Sequence, residues 1–302
     1  MAAYATLLFS LTATATSTTA TSNVQHATPA ICASASAIGA GDNLARFQCL
    51  PASDQATVLR DRIEDGTLDE MPASRVVALI DGMKPDAIIA YVRLIVGRQN
   101  SYEYRMRRRE RVNGKWPAQD DHMEVLCQDT PRRVYVRWLP DGAHAGQEII
   151  YDETRDPNHF LGHFGGAWRL FSGKFLINGA VARLQSRHSV RDLGLQFIVR
   201  TLEHDASSFE AEGMSAKPDH IELLNTGGKR ELALTWDAPT GPPTHFASRV
   251  TLTLDLDHAQ LRGVTAKDLN GNLLEEISFE QIVPEVLTDN TFDPHNPNYN
   301  FH

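Results

Sequence analysis

Motifs that would name a reaction are missing from this sequence. It has no Gly-x-Ser-x-Gly nucleophile elbow, no His-Glu-x-x-His metal helix, no glycine-rich phosphate loop, no dinucleotide fingerprint and no internal repeat. Cysteine is scarce: Cys32, Cys49 and Cys127 are too scattered for a zinc ribbon or a Cys-x-x-Cys redox pair. A single Cys49–Cys127 disulfide is one option if the chain is exported, and three independent small apolar side chains are the other. Positive charge is short as well, with 29 Lys and Arg against 38 Asp and Glu and a net charge of -9. That balance lacks the basic footprint that displaces counterions, so nucleic acid is not expected as a partner. No uninterrupted apolar run of about eighteen residues follows the N-terminus, which excludes a multi-spanning membrane protein.

What is present reads as antiparallel sheet. In Arg132 to Tyr151, Val134, Val136 and Trp138 alternate with Arg133, Tyr135 and Arg137, the period of two that sends neighbours to opposite faces. Pro140, Asp141, Gly142 and Gly146 mark a loop, and Gln147 to Tyr151 returns as a strand. Residues 1–41, rich in Ala, Thr and Ser around a short apolar core from Ala5 to Leu11, read as a secretory leader or a disordered tail. No lysine or arginine precedes that core, which makes the leader incomplete and points to a start further upstream or to the tail reading; no small residue stands just before Cys32, so a lipid anchor there is not expected. Residues 42–100 have helical periodicity: Val58, Leu59 and Ile63, then Val76, Val77 and Ile80, then Ile88 to Val96. Ser53 and Asp54 are expected to cap the first of three helices, and proline to open the other two. The third has the strongest apolar stripe and is expected to cover the sheet.

From residue 101 to 302 the strands dominate, interrupted by a helix near 190–204 with Leu193, Leu195, Ile198, Val199 and Leu202 inward. Asn113-Gly114 marks the first hairpin. The run Arg105, Arg107, Arg108, Arg109 and Arg111 invites an anionic ligand, but acidic neighbours in facing strands favour a salt-bridged solvated face. His159 and His163 suggest a metal only weakly, because glycines and aromatics surround them. Ser186, His188 and Asp192 hold the residue types of a hydrolytic triad, yet they fit better as caps of the following helix, with Ser186 or Ser189 as N-cap. No catalytic residue, metal or cofactor is therefore assigned. A sheet bent around helices encloses apolar volume that is either filled core or ligand pocket. Tyr104, Met106, Val136, Trp138, Ile150 and Phe279 are the candidate inner wall, with Arg105, Arg107 and Arg109 as a candidate rim. The tail from Leu287 is expected across the sheet edge or mouth.

The pieces Arg109-Glu110-Arg111-Val112-Asn113-Gly114-Lys115, Pro131 to Trp138, Gly146 to Tyr151, Ser186-Arg187-His188 and Phe292 to Phe301 resemble a bacterial envelope family known as domain of unknown function 1571. That family resembles in turn the LolA and LolB type lipoprotein carriers. The resemblance implies an α+β fold: a large curved antiparallel sheet forming an unclosed β-barrel, with helices on its concave side and a helical segment before it. It further implies an exported, periplasmic, non-enzymatic binder of a lipid, acyl chain or other amphipathic ligand. An envelope hydrolase using His188 with Ser186 or Asp192, and a module docking an envelope protein, are the alternatives.

Overall fold

The computed structural model describes residues 44–301; the leader reading and Cys32 lie outside them. Four helices come first: α1 (Leu44–Cys49), α2 (Ala52–Glu64), α3 (Ala73–Asp81) and α4 (Pro85–Val96). Proline stands at the N-cap of α2 and α3 and at the first position of α4, where its missing N–H costs nothing. Ser53 and Asp54 lie inside the first turn of α2 and make no capping bond; Pro51 occupies the cap. α1 has only one fully buried residue, Phe47, too faint a pattern for the sequence to have announced it. Gln55, fully buried, ties the helices together: its amide donates to the Phe47 carbonyl at 3.0 Å and accepts from the Lys84 N–H at 2.9 Å.

The sheet has eleven antiparallel strands in the order β6-β5-β4-β3-β2-β1-β11-β10-β9-β8-β7. They are β1 (Ser101–Glu110), β2 (Asp121–Gln128), β3 (Arg133–Trp138), β4 (Glu148–Asp152), β5 (His159–His163), β6 (Gly173–Leu176), β7 (His220–Thr226), β8 (Lys229–Asp237), β9 (Arg249–Asp255), β10 (Gln260–Lys267) and β11 (Leu273–Pro284). It is open, with β6 and β7 as edges. Register shifts between Glu103 and Arg105, Leu261 and Gly263, and Ala266 and Lys267 are irregularities of the kind that bend strands and increase twist. The β1–β2 hairpin turns at Asn113 and Gly114, both at positive φ.

The connection from edge β6 to edge β7 runs over the inner face. It contains α5 (Ala180–Gln185), a 3-10 turn at Val190–Asp192 and α6 (Gln196–Ala211). The embedded helix thus begins at Gln196 rather than Val190: Ser189 caps the 3-10 turn in a reciprocal box with Asp192, and that closes the turn before α6 starts. The stretch Gly166–Leu170 is also a 3-10 turn. α4 packs on α2, α6 and β10, so the strongest apolar stripe does cover the sheet. One contiguous core joins the helices to the inner face, including Tyr91, Tyr104, Met106, Val136, Trp138, Leu234 and Phe279.

The outer face carries charge and the C-terminal tail. Arg105 pairs with Glu124 at 3.2 Å, Arg107 with Asp141 at 3.0 Å, and Arg109 with Asp120 at 3.5 Å. These arginines face away from the inner wall because strand parity puts them opposite Tyr104 and Met106. Ile150 also turns outward, into a second cluster with Tyr135 and Phe292. The tail packs there rather than over the mouth. Tyr299 stacks on Tyr135 with centroids 4.0 Å apart, Arg133 sits over the Phe292 ring, and Asn300 holds Glu148 at 2.6 Å. Cys49 is exposed and Cys127 buried, and both are free, so the disulfide option is not realised. The Cys127 thiol is instead contacted by the Arg132 guanidinium at 2.9 Å.

Candidate functional site

Strand parity creates the site. The inward positions of β1 run Tyr102, Tyr104, Met106 and then change character to Arg108 and Glu110, all buried. In β2 Asp121 pairs across from Arg108, and in β11 Glu275 pairs across from Glu110. Burying such charges is tolerable only if they satisfy one another. Arg108 Nη2 donates to Asp121 Oδ2 at 2.8 Å, and Nη1 lies 3.1 Å from Ser186 Oγ and 3.3 Å from Glu110 Oε1. Asp121 Oδ1 also accepts from the Trp138 indole at 3.0 Å and pairs with His144 at 2.8 Å. From the crossover above, the Arg187 N–H donates to Glu110, and His188 Nε2 meets Glu275 Oε2 at 2.6 Å.

Burial alone would depress the His188 imidazole, but the Glu275 carboxylate, by charge and by hydrogen bond, holds it above its ordinary value. Burial likewise pushes Glu275 up, and His188, followed by Arg187 and Arg108, outweighs it and holds the carboxyl below the usual range. The belt is therefore self-neutralising. Glu110, His188 and Glu275 place one donor atom each within 4.8 Å of the others, a spacing that a cation accepts. Yet His188 and Glu275 are already in direct contact and Arg108 stands beside Glu110, so ion pairing accounts for the group as it stands.

Beside this belt lies a cavity of about 60 Å³ between the β3–β6 end of the sheet and α5. Its apolar lining includes Trp138, Ile149, Phe160, Phe175, Val181 and Leu193, and its polar end Arg108, Gln147, Gln185, Ser186 and His188. Across Arg108 and His188 is a second void of about 30 Å³, lined by Tyr104, Met106, Phe197, Ile277 and Phe279 among others. A wider recess of about 480 Å³ at Asn100, Asp129, Arg132 and Arg200 is lined mainly by polar groups, unlike the mostly apolar walls of ligand pockets.

Of the inner-wall residues expected from sequence, Trp138 lines the first void and Tyr104, Met106 and Phe279 the second; Val136 lies in the inner core row and Ile150 on the outer face, as do the expected rim residues Arg105, Arg107 and Arg109. The triad residues do not assemble. Ser186 Oγ accepts from the His188 backbone N–H, Asp192 is spent on the Ser189 N–H, and the His188 ring nitrogen goes to Glu275. His159 is taken by Asp156, while His163 lies against Phe301 and 3.8 Å from Glu148. The residues missed by pattern reading are Arg108, Glu110, Asp121, Gln147, Gln185 and Glu275. Their signal was phase, since Arg108 and Glu110 continue the inward register of Tyr104 and Met106.

A family model matches residues 99–301, more than half of the chain, and its description is protein of unknown function DUF1571. The chain belongs to this family. The match begins two residues before β1 and covers every strand and the whole candidate site. A comparison with curated proteins finds no match. Among solved structures, the chain is similar to an uncharacterized conserved protein from Thermus thermophilus, at 9% identity over 67% of this chain and 90% of that one, with a TM-score of 0.37. It is similar also to a LolA superfamily protein from Nitrosomonas europaea (10% identity, 70% and 98% covered, TM-score 0.30). A third is a putative outer membrane lipoprotein-sorting protein domain from Vibrio parahaemolyticus (12% identity, 68% and 95% covered, TM-score 0.32). At TM-scores this far below 0.5 these likenesses carry no weight for what the chain does, which has to be read from its own residues. Among the described residues no helix is long and apolar enough to cross a membrane.

Proposed function

We propose that this chain is an exported, periplasmic, non-enzymatic binder of an acyl chain or similar amphipathic ligand, taken up between the inner wall at Trp138, Ile149, Phe160 and Phe175 and the short helix α5. The observation that carries this reading is an apolar void with polar groups at one end only, roofed by a helix that buries none of its own residues. As it stands the void is about 60 Å³, room for only a few waters. Ligand pockets run to roughly 300 Å³ or more. Uptake therefore requires α5 to lift, and a helix without buried side chains gives up little in doing so.

The energetics favour a long apolar ligand. Each sequestered methylene contributes ~0.8 kcal/mol, so about ten of them gain roughly 8 kcal/mol. That exceeds the lower estimates of the association cost, about 4 kcal/mol. Gln147, Gln185 and Ser186 would meet the polar head by hydrogen bonding. The paired arginines of the outer face have no part in this reading.

The test is native mass spectrometry of the purified chain with solvent extraction and lipid analysis, followed by uptake of a fluorescent fatty acid. Val181→Trp and Ala182→Trp fill the void from the half-buried side of α5, so the sheet stays intact. A bound lipid in the parent chain, with uptake at least tenfold weaker in both variants, is the expected result. A clean apo mass with no probe uptake would refute the carrier reading. A stoichiometric protein companion in place of lipid would point to the docking alternative.

A further inference from the structure

The roof of the cavity carries a second feature that ligand uptake does not need. From Phe164 to Arg191 the chain has five basic residues, Arg169, Lys174, Arg183, Arg187 and Arg191, and no Asp or Glu, within a protein of net charge -9. The same stretch holds the densest exposed apolar surface of the described residues: Trp168 is 66% exposed, Leu170 59%, Phe171 69%, Leu176 56% and Leu184 68%. Large apolar side chains grouped in this way mark an interaction surface. Arg169 and Arg183 are exposed and have no carboxylate partner among the described residues; Arg183 donates to the Arg187 carbonyl and Asn178 instead. On the outer face of the sheet, by contrast, Arg105, Arg107 and Arg109 are matched by acids.

Lys174 pairs with Asp156 and Arg191 with Glu153, both outside the segment, which leaves Arg169 and Arg183 as its cations without a carboxylate. Apolar and aromatic side chains interleaved with these two, in a segment without acids of its own, complement one kind of surface. An anionic bilayer offers an interfacial zone that takes Trp and Leu and phosphates that attract Arg. We propose that Phe164–Arg191 is a membrane-docking surface, seating Trp168, Leu170, Phe171 and Leu184 at the interface of an anionic bilayer with Arg169 and Arg183 at its phosphates. α5 belongs to this surface, so docking brings the roof of the cavity against the lipid. The inference stands apart from the carrier reading, since a surface can dock whether or not the cavity fills.

The test is co-sedimentation of the full chain with vesicles of phosphatidylcholine alone and of phosphatidylcholine mixed with phosphatidylglycerol. Binding to the mixed vesicles only, weakening as salt is raised, is expected. Arg169→Gln with Arg183→Gln should lower partitioning about twenty-five-fold, since each basic residue near such a surface is worth roughly a factor of five. Trp168→Ser with Phe171→Ser should lower it comparably. These side chains are exposed, so urea unfolding midpoints should match the parent and exclude misfolding as the cause. Vesicle binding is measured without fatty acid present, which separates this outcome from the fatty-acid result. Absence of vesicle binding, equal binding to both compositions, or parent-like binding by the two double variants would overturn the proposal. So would a concentration-dependent dimer abolished by those variants, which would assign the surface to a second copy of the chain.

Discussion

Replacing Glu275 by leucine removes the counter-charge of His188 while nearly preserving side-chain volume, and it isolates what the buried belt contributes. At 2.6 Å, Coulomb's law with an effective dielectric constant of about 20 gives roughly 6 kcal/mol of attraction. Desolvation of both ions offsets much of that in the intact pair, but the variant keeps the imidazole buried and loses the compensation. A loss of about 3–5 kcal/mol is expected. Its pH dependence is more diagnostic than its size. In the parent, His188 is held above its ordinary value of 6.5, so its contribution is fully present below that pH and disappears as pH rises through the folded value. Glu275, held below 4.5, contributes above that pH and loses its contribution as pH falls through its folded value. Between these limits the pair stabilises most. In Glu275→Leu, burial acts on His188 without its main opponent, the folded value drops below 6.5, and stability falls as the solution is acidified from about pH 8 to 5.5. Parent and variant should therefore show opposite slopes in urea midpoints over that range. The His188→Leu, Glu275→Leu double variant should recover most of the single loss, because no lone charge remains. Equal losses in the single and double variants, or parallel pH slopes, would refute the pairing.

Three further outcomes follow from the packing. Phe292→Ala empties a fully buried position under Arg133 on the outer face and should cost about 3–5 kcal/mol, read from the unfolding midpoint; a loss below about 1 kcal/mol would mean that the tail is not part of the fold. Gly263→Ala would place a Cβ 2.6 Å from the Ile277 carbonyl oxygen between β10 and β11, and about 1–3 kcal/mol of destabilisation by the same assay is expected. In a Cys32→Ser background, thiol titration should find Cys49 reactive at once and Cys127 silent until urea unfolds the chain, because burial pushes the Cys127 thiol up to about 12; two fast thiols, or none, would contradict this.

Much of the sheet was legible in the sequence because period-two alternation survives wherever one face is buried. Val134, Val136 and Trp138 gave the phase of β3 correctly, and Asn113-Gly114 located the first hairpin. Ile150 was misplaced for a physical reason. Its strand is covered on both faces, by the core at Tyr151 and by the tail at Phe292, so hydrophobicity no longer distinguishes inside from outside. α5 left almost no trace, since a six-residue helix with no buried residue has no apolar stripe. The polar belt was hidden by its own composition. Arg108 sits within a run of arginines whose other members do face solvent, and only counting from Tyr104 separates it from Arg107 and Arg109.

The cover of the inner face changes along the sheet. Toward β7–β11 the face lies under α3, α4 and α6, with α4 buried against β10 and α6 pinned to α4 by Arg93 and Glu203. The void left there, lined by Ile89, Leu202, Phe209 and Trp236 among others, is about 30 Å³, half that under α5. Toward β3–β6 the cover is α5 and the turn at Ser189. The belt of Arg108, Glu110, Asp121, His188 and Glu275 stands at the division, where β1 pairs with both β2 and β11. Charges this deeply buried and mutually bound contribute little net stability, but they tolerate only one arrangement, because any shift strands an ion. The belt therefore fixes the middle of the crossover at His188, while α5, only a few residues before it, buries none of its own residues. Ser186, Arg187 and His188 are held by Arg108, Glu110 and Glu275, so the proposed uptake requires any movement of α5 to be taken up ahead of Ser186.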